Sequence, residues 1–130
     1  MVMEQNKNPI SPHLQIYKWQ ISSLLSITHR IVGVINFFAI TLICAWSVYL
    51  LLGANNYEVI NNFFNSFFGK FLIIALCWSF SFHILNEIRH LAWDFGYGFD
   101  IKISKITGII VFFGSFILTI IIYVLGRNYI

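Results

Sequence analysis

Apolar residues gather into three long intervals free of charge, 31–57, 71–86 and 106–126, separated by short polar stretches. If the second begins before Lys70, near Phe64, each supplies the roughly 20 residues that cross a bilayer. Residues 1–20 are polar and hold both prolines, Pro9 and Pro12; Gly53-Ala54-Asn55-Asn56 closes the first span and opens a polar connection at 55–65; residues 94–105 form a loop with Gly96 and Gly98. The pattern predicts an all-α membrane protein. It has an N-terminal arm (1–21) and one anchor domain (22–130) with transmembrane helices at about 22–52, 64–91 and 105–126. Ser22 or Ser23 is placed to cap the first helix. The phenylalanines at 63, 64, 67 and 68 read as lipid-facing or packing residues, and the third helix as a packing helix.

Composition agrees: 58% of the residues are hydrophobic and 10% charged, outside the range of a soluble domain. Three helices bury little against one another, and no internal repeat of the transporter kind is visible. A small anchor in a multi-subunit helical bundle is therefore expected, rather than a self-sufficient channel. The arm lacks an apolar core for a signal peptide, lacks arginine and contains Glu4, which argues against a transit peptide; the first helix then serves as the insertion signal. Isoleucine far outnumbers alanine, as in an AT-rich bacterial or organellar genome.

Lys7, Lys18, Arg30, Arg89, Lys102 and Lys105 fall on the side of the N-terminus, against Lys70 and Arg127 on the other. By the positive-inside rule the N-terminus lies in the cytoplasm or matrix. Tyr17, Trp19, Trp93 and Tyr97 suit the aromatic belt of that interface. Cys44 and Cys77 lie within spans, where cysteine acts as a small apolar residue; neither a disulfide nor metal binding is expected of them.

The polar end of the second span carries the chemistry. His83, Glu87 and His90, at i, i+4 and i+7, share one helical face. With Leu91 at the membrane boundary, His83 lies roughly 12 Å deeper, and ionisable groups at such depth mark functional sites. Its ring nitrogens call for a hydrogen-bond acceptor, a water cavity or a metal such as a haem iron. Glu87, about 6 Å below the boundary, is expected to pair with a cation such as Arg30 or one from a partner, or to be protonated. Ser26, His29, Arg30 and Gly33 form a second cluster in the first helix on the same side of the membrane. Arg30 there either snorkels to the headgroups or lines a polar pocket. His83 and His90 project from one side about 10.5 Å apart, so they cannot be opposite ligands of one iron. His29 near the surface and His13 in the arm are not deep enough to face His83, so a second haem ligand would come from another chain.

PISPHLQIY at 9–17, SITHRIVG at 26–33 and HILNEIRHLAWDFGYG at 83–98 resemble, in order and spacing, the large cytochrome b membrane-anchor subunits of succinate dehydrogenase, respiratory complex II. The resemblance implies an inner-membrane, multi-pass subunit with no complete active site of its own. Its implied partners are the flavoprotein, the iron–sulfur subunit and a second small anchor; no nucleic acid is implied. The complex would carry electrons from succinate to ubiquinone, joining the tricarboxylic acid cycle to electron transport. By motif, His83 matches the axial ligand of a haem b shared with the second anchor. His29 and Arg30 match neighbours of the haem propionates; Ser26, Arg30 and Asp94 match the quinone pocket, Asp94 as proton donor or structural partner. His90 matches a family position without a ligand role. Glu87 stands where the family commonly has glycine, Asn8 where arginine is usual, and Val32 where a small hydroxyl residue precedes Gly33. Two other classes stay open, the anchor of a quinol:fumarate reductase and a non-redox packing subunit.

Overall fold

The computed structural model describes residues 19–53 and 55–129. The expected arm, with Pro9, Pro12, His13 and Tyr17, falls outside the described residues apart from its last positions. Four helices follow in order: α1 (Ile21–Leu51), α2 (Asn55–Asn65), α3 (Phe67–Asp94) and α4 (Ile101–Tyr129). The described residues contain no strand. α1, α3 and α4 are long and apolar enough to cross a membrane. Their 31, 28 and 29 residues correspond to about 46, 42 and 43 Å at 1.5 Å per residue. Each therefore overshoots a hydrocarbon core of about 30 Å.

Three local expectations are corrected. Residues 55–65 are a helix rather than a connection; the break comes at Ser66, whose side chain accepts a hydrogen bond from the Gly69 N–H at 3.2 Å and so caps α3. The N-cap of α1 is Gln20, not Ser22 or Ser23, and it makes no side-chain cap bond. The Ser23 hydroxyl instead donates to the Gln20 carbonyl at 2.9 Å, occupying an acceptor at the helix start. Lys102 and Lys105, expected in a loop, belong to the first turns of α4.

α3 is central, packing against each of the other three helices. An apolar cluster of Leu25, Val32, Phe82 and Val111 joins α1, α3 and α4, with Trp78 and Leu85 against it. Around it lie buried polar groups, as expected where lipid supplies no hydrophobic drive between helices and small or hydrogen-bonding residues do the joining. Ser79 donates to Asn36 Oδ1 at 2.7 Å, linking α3 to α1 inside the protein. Ser81, Ser115 and Thr119 are buried and donate to carbonyls of their own helices. Gly108 on α4 is a close-approach position: a Cβ there would collide with Leu25 and come within 3.8 Å of Arg89 Nη2.

Candidate functional site

At the N-terminal-side end of α1 and α3, three imidazoles and a carboxylate come together. The His29 ring stacks on His83 with centroids 4.4 Å apart and planes 6° from parallel, and on His90 at 5.4 Å and 19°. His29 is therefore level with His83, which corrects the expectation that it lies too near the surface to face it. A crossing of two helices sets this alignment, and depth counted along either helix alone does not contain it. The rings meet face to face, so His29 does not stand across a metal from His83.

Glu87 also differs from expectation. Its Oε1 lies 3.0 Å from His29 Nε2 and 3.9 Å from His83 Nε2. Its partner is thus an imidazole of α1 and not Arg30. Arg30 is exposed and makes no ion pair among the described residues. His90 is held locally, its Nδ1 2.9 Å from the Asn86 carbonyl, as suits a residue without a ligand role.

Ser26 is half-buried, and Asp94 is exposed at the last turn of α3. Neither hydrogen-bonds to the histidine group. The structure thus joins His29, His83, Glu87 and His90 directly, while Ser26, Arg30 and Asp94 stand apart from that contact network on the same side of the membrane.

The His83 environment suits an axial ligand. Its Nδ1 is buried without a partner, whereas Nε2 reaches the open face shared with Glu87. Gly33 lies against the ring: a Cβ there would sit 3.4 Å from His83 Cε1, in van der Waals contact. The face around it carries exposed apolar side chains, Phe80 and Ile84 among them, that a flat apolar group or a neighbouring helix could cover. Glu87 is more than half exposed, so its carboxylate can turn aside. These residues fit a haem. One ligand atom each from His29, His83 and Glu87 also lie within 4.8 Å of one another, a spacing one small cation could bridge.

Arg89, counted in the sequence only as a positive charge, proves to be a joint. It is buried, with 6% of its surface exposed. Nε donates to Thr107 Oγ1 at 3.2 Å, Nη2 to the Ser104 carbonyl and hydroxyl at 3.0 and 2.9 Å, and Nη1 to Asn86 Oδ1 at 3.5 Å. The guanidinium lies 4.2 Å from the Trp93 ring centroid, and Trp93 Nε1 donates to the Gly98 carbonyl at 3.2 Å. The signal was present in the sequence: at 100° per residue Arg89 falls about 240° round from His83, off the face that carries His83 and Glu87.

Fold and site together define a polytopic helical membrane subunit with a histidine-rich polar end. Residues 4–122 match the model of the succinate dehydrogenase/fumarate reductase transmembrane subunits, and the chain belongs to this family. Within it, the chain is a cytochrome b membrane-anchor subunit of complex II. It is 47% identical over 119 residues to the succinate dehydrogenase cytochrome b556 subunit of Rickettsia felis, covering 92% of this chain and 93% of that one. The cytochrome b560 subunit of Reclinomonas americana is 36% identical over 135 residues, covering 95% and 90%. The cytochrome b556 subunit of Paracoccus denitrificans is 28% identical over 119 residues, covering 92% of each chain.

Proposed function

We propose that this chain is the large anchor of a succinate:ubiquinone oxidoreductase of the inner membrane, its N-terminus in the cytoplasm or matrix. It would share a haem b with a second small anchor and contribute to the site of ubiquinone reduction beside the flavoprotein and iron–sulfur subunits. The observation that carries the reading is the half-buried His83, its ring against His29 and Gly33 of α1 with Nδ1 buried, while its Nε2 side is left open by this chain. The cytochrome names of the relatives supply the cofactor's class.

When bound, the haem supplies a one-electron centre near the path from the iron–sulfur subunit to quinone. His83 would hold the group through its imidazole, and a second holding residue would come from the second anchor, since His29 and His90 stack on this chain's own imidazoles. Arg30, and His29 where Glu87 turns aside from its Nε2, would offset the propionate charges by charge-assisted hydrogen bonds. Ser26 and Arg30, one turn apart on α1, donate to the carbonyl oxygens of the quinone head group. Negative charge grows there on reduction, so preplaced donors act most strongly in the reduced states. Asp94, exposed at the end of α3, supplies a proton to that region or orients its cations.

The test is a reduced-minus-oxidised spectrum of the gently solubilised complex with succinate–quinone activity on the same sample. Ser26→Ala and Arg30→Leu should lower quinone reduction while succinate oxidation by an upstream artificial acceptor stays near normal. Losing one donor costs about 2.7–4 kcal/mol in a dry oxyanion hole, and a half-exposed site should lose less. Parental quinone rates in both variants would move the site elsewhere; a complex that holds zinc and no haem would overturn the cofactor assignment.

A further inference from the structure

On the side of α3 away from the histidines, a groove of about 490 Å³ opens between α3 and α4, with Arg89, Trp93 and Tyr97 near its mouth and Leu85, Ile110 and Val111 along its wall. A second hollow of about 270 Å³ shares those three wall residues and continues past Gly114 to Ile121. From Ile103 to Ile121 the path follows 18 residues of α4, about 27 Å, so it runs from the N-terminal-side boundary past the bilayer midplane. Its walls are almost wholly apolar. Its head is a buried cation.

All four acceptors around Arg89, from Thr107, Ser104 and Asn86, are neutral. Among the described residues the only carboxylate in an ion pair is Glu87, and it pairs with histidines on the opposite face. A guanidinium has five N–H donors, so with four hydrogen bonds made one Nη1–H remains. A buried charge without a counter-charge is costly. Lys102 and Lys105 lie in the first turns of α4, exposed, adding positive charge at the same level, and Trp93 and Tyr97 are the side chains typical of the headgroup zone.

We propose that this groove is a binding site for one anionic phospholipid of the N-terminal-side leaflet, its phosphate against Arg89 and one acyl chain along Leu85, Ile110 and Gly114. Charge complementarity selects the occupant: a zwitterionic lipid fills the apolar walls equally well but leaves the guanidinium less compensated. Basic pockets between transmembrane helices recognise acidic headgroups in this way. The site uses neither His83, Ser26 nor Arg30 and so does not rest on the haem and quinone reading, although Trp93 touches both Arg89 and His90.

The test uses the whole complex reconstituted in nanodiscs of phosphatidylcholine with a minor fraction of phosphatidylglycerol, then extracted gently, with the retained lipid counted by native mass spectrometry. The parent complex should retain phosphatidylglycerol enriched roughly fivefold per engaged cation over the nanodisc composition. Arg89→Gln should abolish the enrichment while lipid of either headgroup still binds. Ile110→Trp fills the groove without touching Arg89; it should reduce retention of both lipids and leave the haem spectrum unchanged. If Arg89→Gln fails to assemble, Ile110→Trp decides. Equal retention of the two lipids by the parent, full retention in Ile110→Trp, or a partner carboxylate cross-linked at Arg89 overturns the proposal.

Discussion

On one side of α3 stand His83, Glu87 and His90; on the other stand Leu85, Arg89 and Ala92, about half a turn away. Both sides place ionisable groups within a span that should tolerate few, yet they treat them differently. Arg89 is buried and held by four hydrogen bonds to the α3–α4 joint. The histidine face is left open: His83 and His29 each keep a buried Nδ1 without a partner, and Glu87 is more than half exposed. The contrast teaches how to read polar residues in a span. Arg89 joins helices through acceptors of its own chain while its charge stays without a counter-charge, and the half-satisfied groups of the histidine face await a group from outside the chain.

The comparison breaks most visibly at His83. His83→Ala should remove the low-spin b-type spectrum while the anchor still inserts, because α3 packs through its other faces; His90→Ala should leave the iron's ligation intact. Loss of the spectrum in His90→Ala with its retention in His83→Ala would reverse the two roles. Next in size is Gly108→Leu, which drives a side chain into Leu25 and Arg89. Overpacking of this kind costs about 1–3 kcal/mol and should lower the thermal midpoint of the complex and the yield of intact anchor.

Smaller effects sharpen the contrast. Glu87→Gly should cost about 1 kcal/mol for a glycine within a helix and retain haem, while His29 loses its 3.0 Å partner. Loss of haem in that variant would show that Glu87 positions the site. Smallest is Ser79→Ala, which removes one buried bond to Asn36. Interhelical hydrogen bonds in a membrane average about 0.6 kcal/mol, so only a slight fall in unfolding midpoint is expected.

How much was legible follows from the same physics. The three spans and the all-α class could be read directly, since length and apolarity decide them. The helical character of 55–65 could not, because its asparagines resemble a loop and Ser66 becomes a cap only when Gly69 turns beneath it. The common face of His83, Glu87 and His90 follows from periodicity along one helix. The stacking of His29 on His83, and the choice of His29 over Arg30 as the partner of Glu87, depend on where α1 crosses α3, which no single-helix pattern encodes. Arg89 was visible as a charge, but its role required Ser104 and Thr107 of α4, 15 and 18 residues further along the chain.

The third of a turn between His83 and Arg89 also constrains which insertions and deletions the gene can accept. One extra residue between them would turn the two faces by about 100° against each other, detaching the arginine from α4 or swinging the histidine off Gly33. Seven extra residues would nearly restore the angle but move the two about 10.5 Å further apart along the axis. The six-residue interval is therefore fixed in rotation and in depth together, and length variation should be confined to the joins outside it.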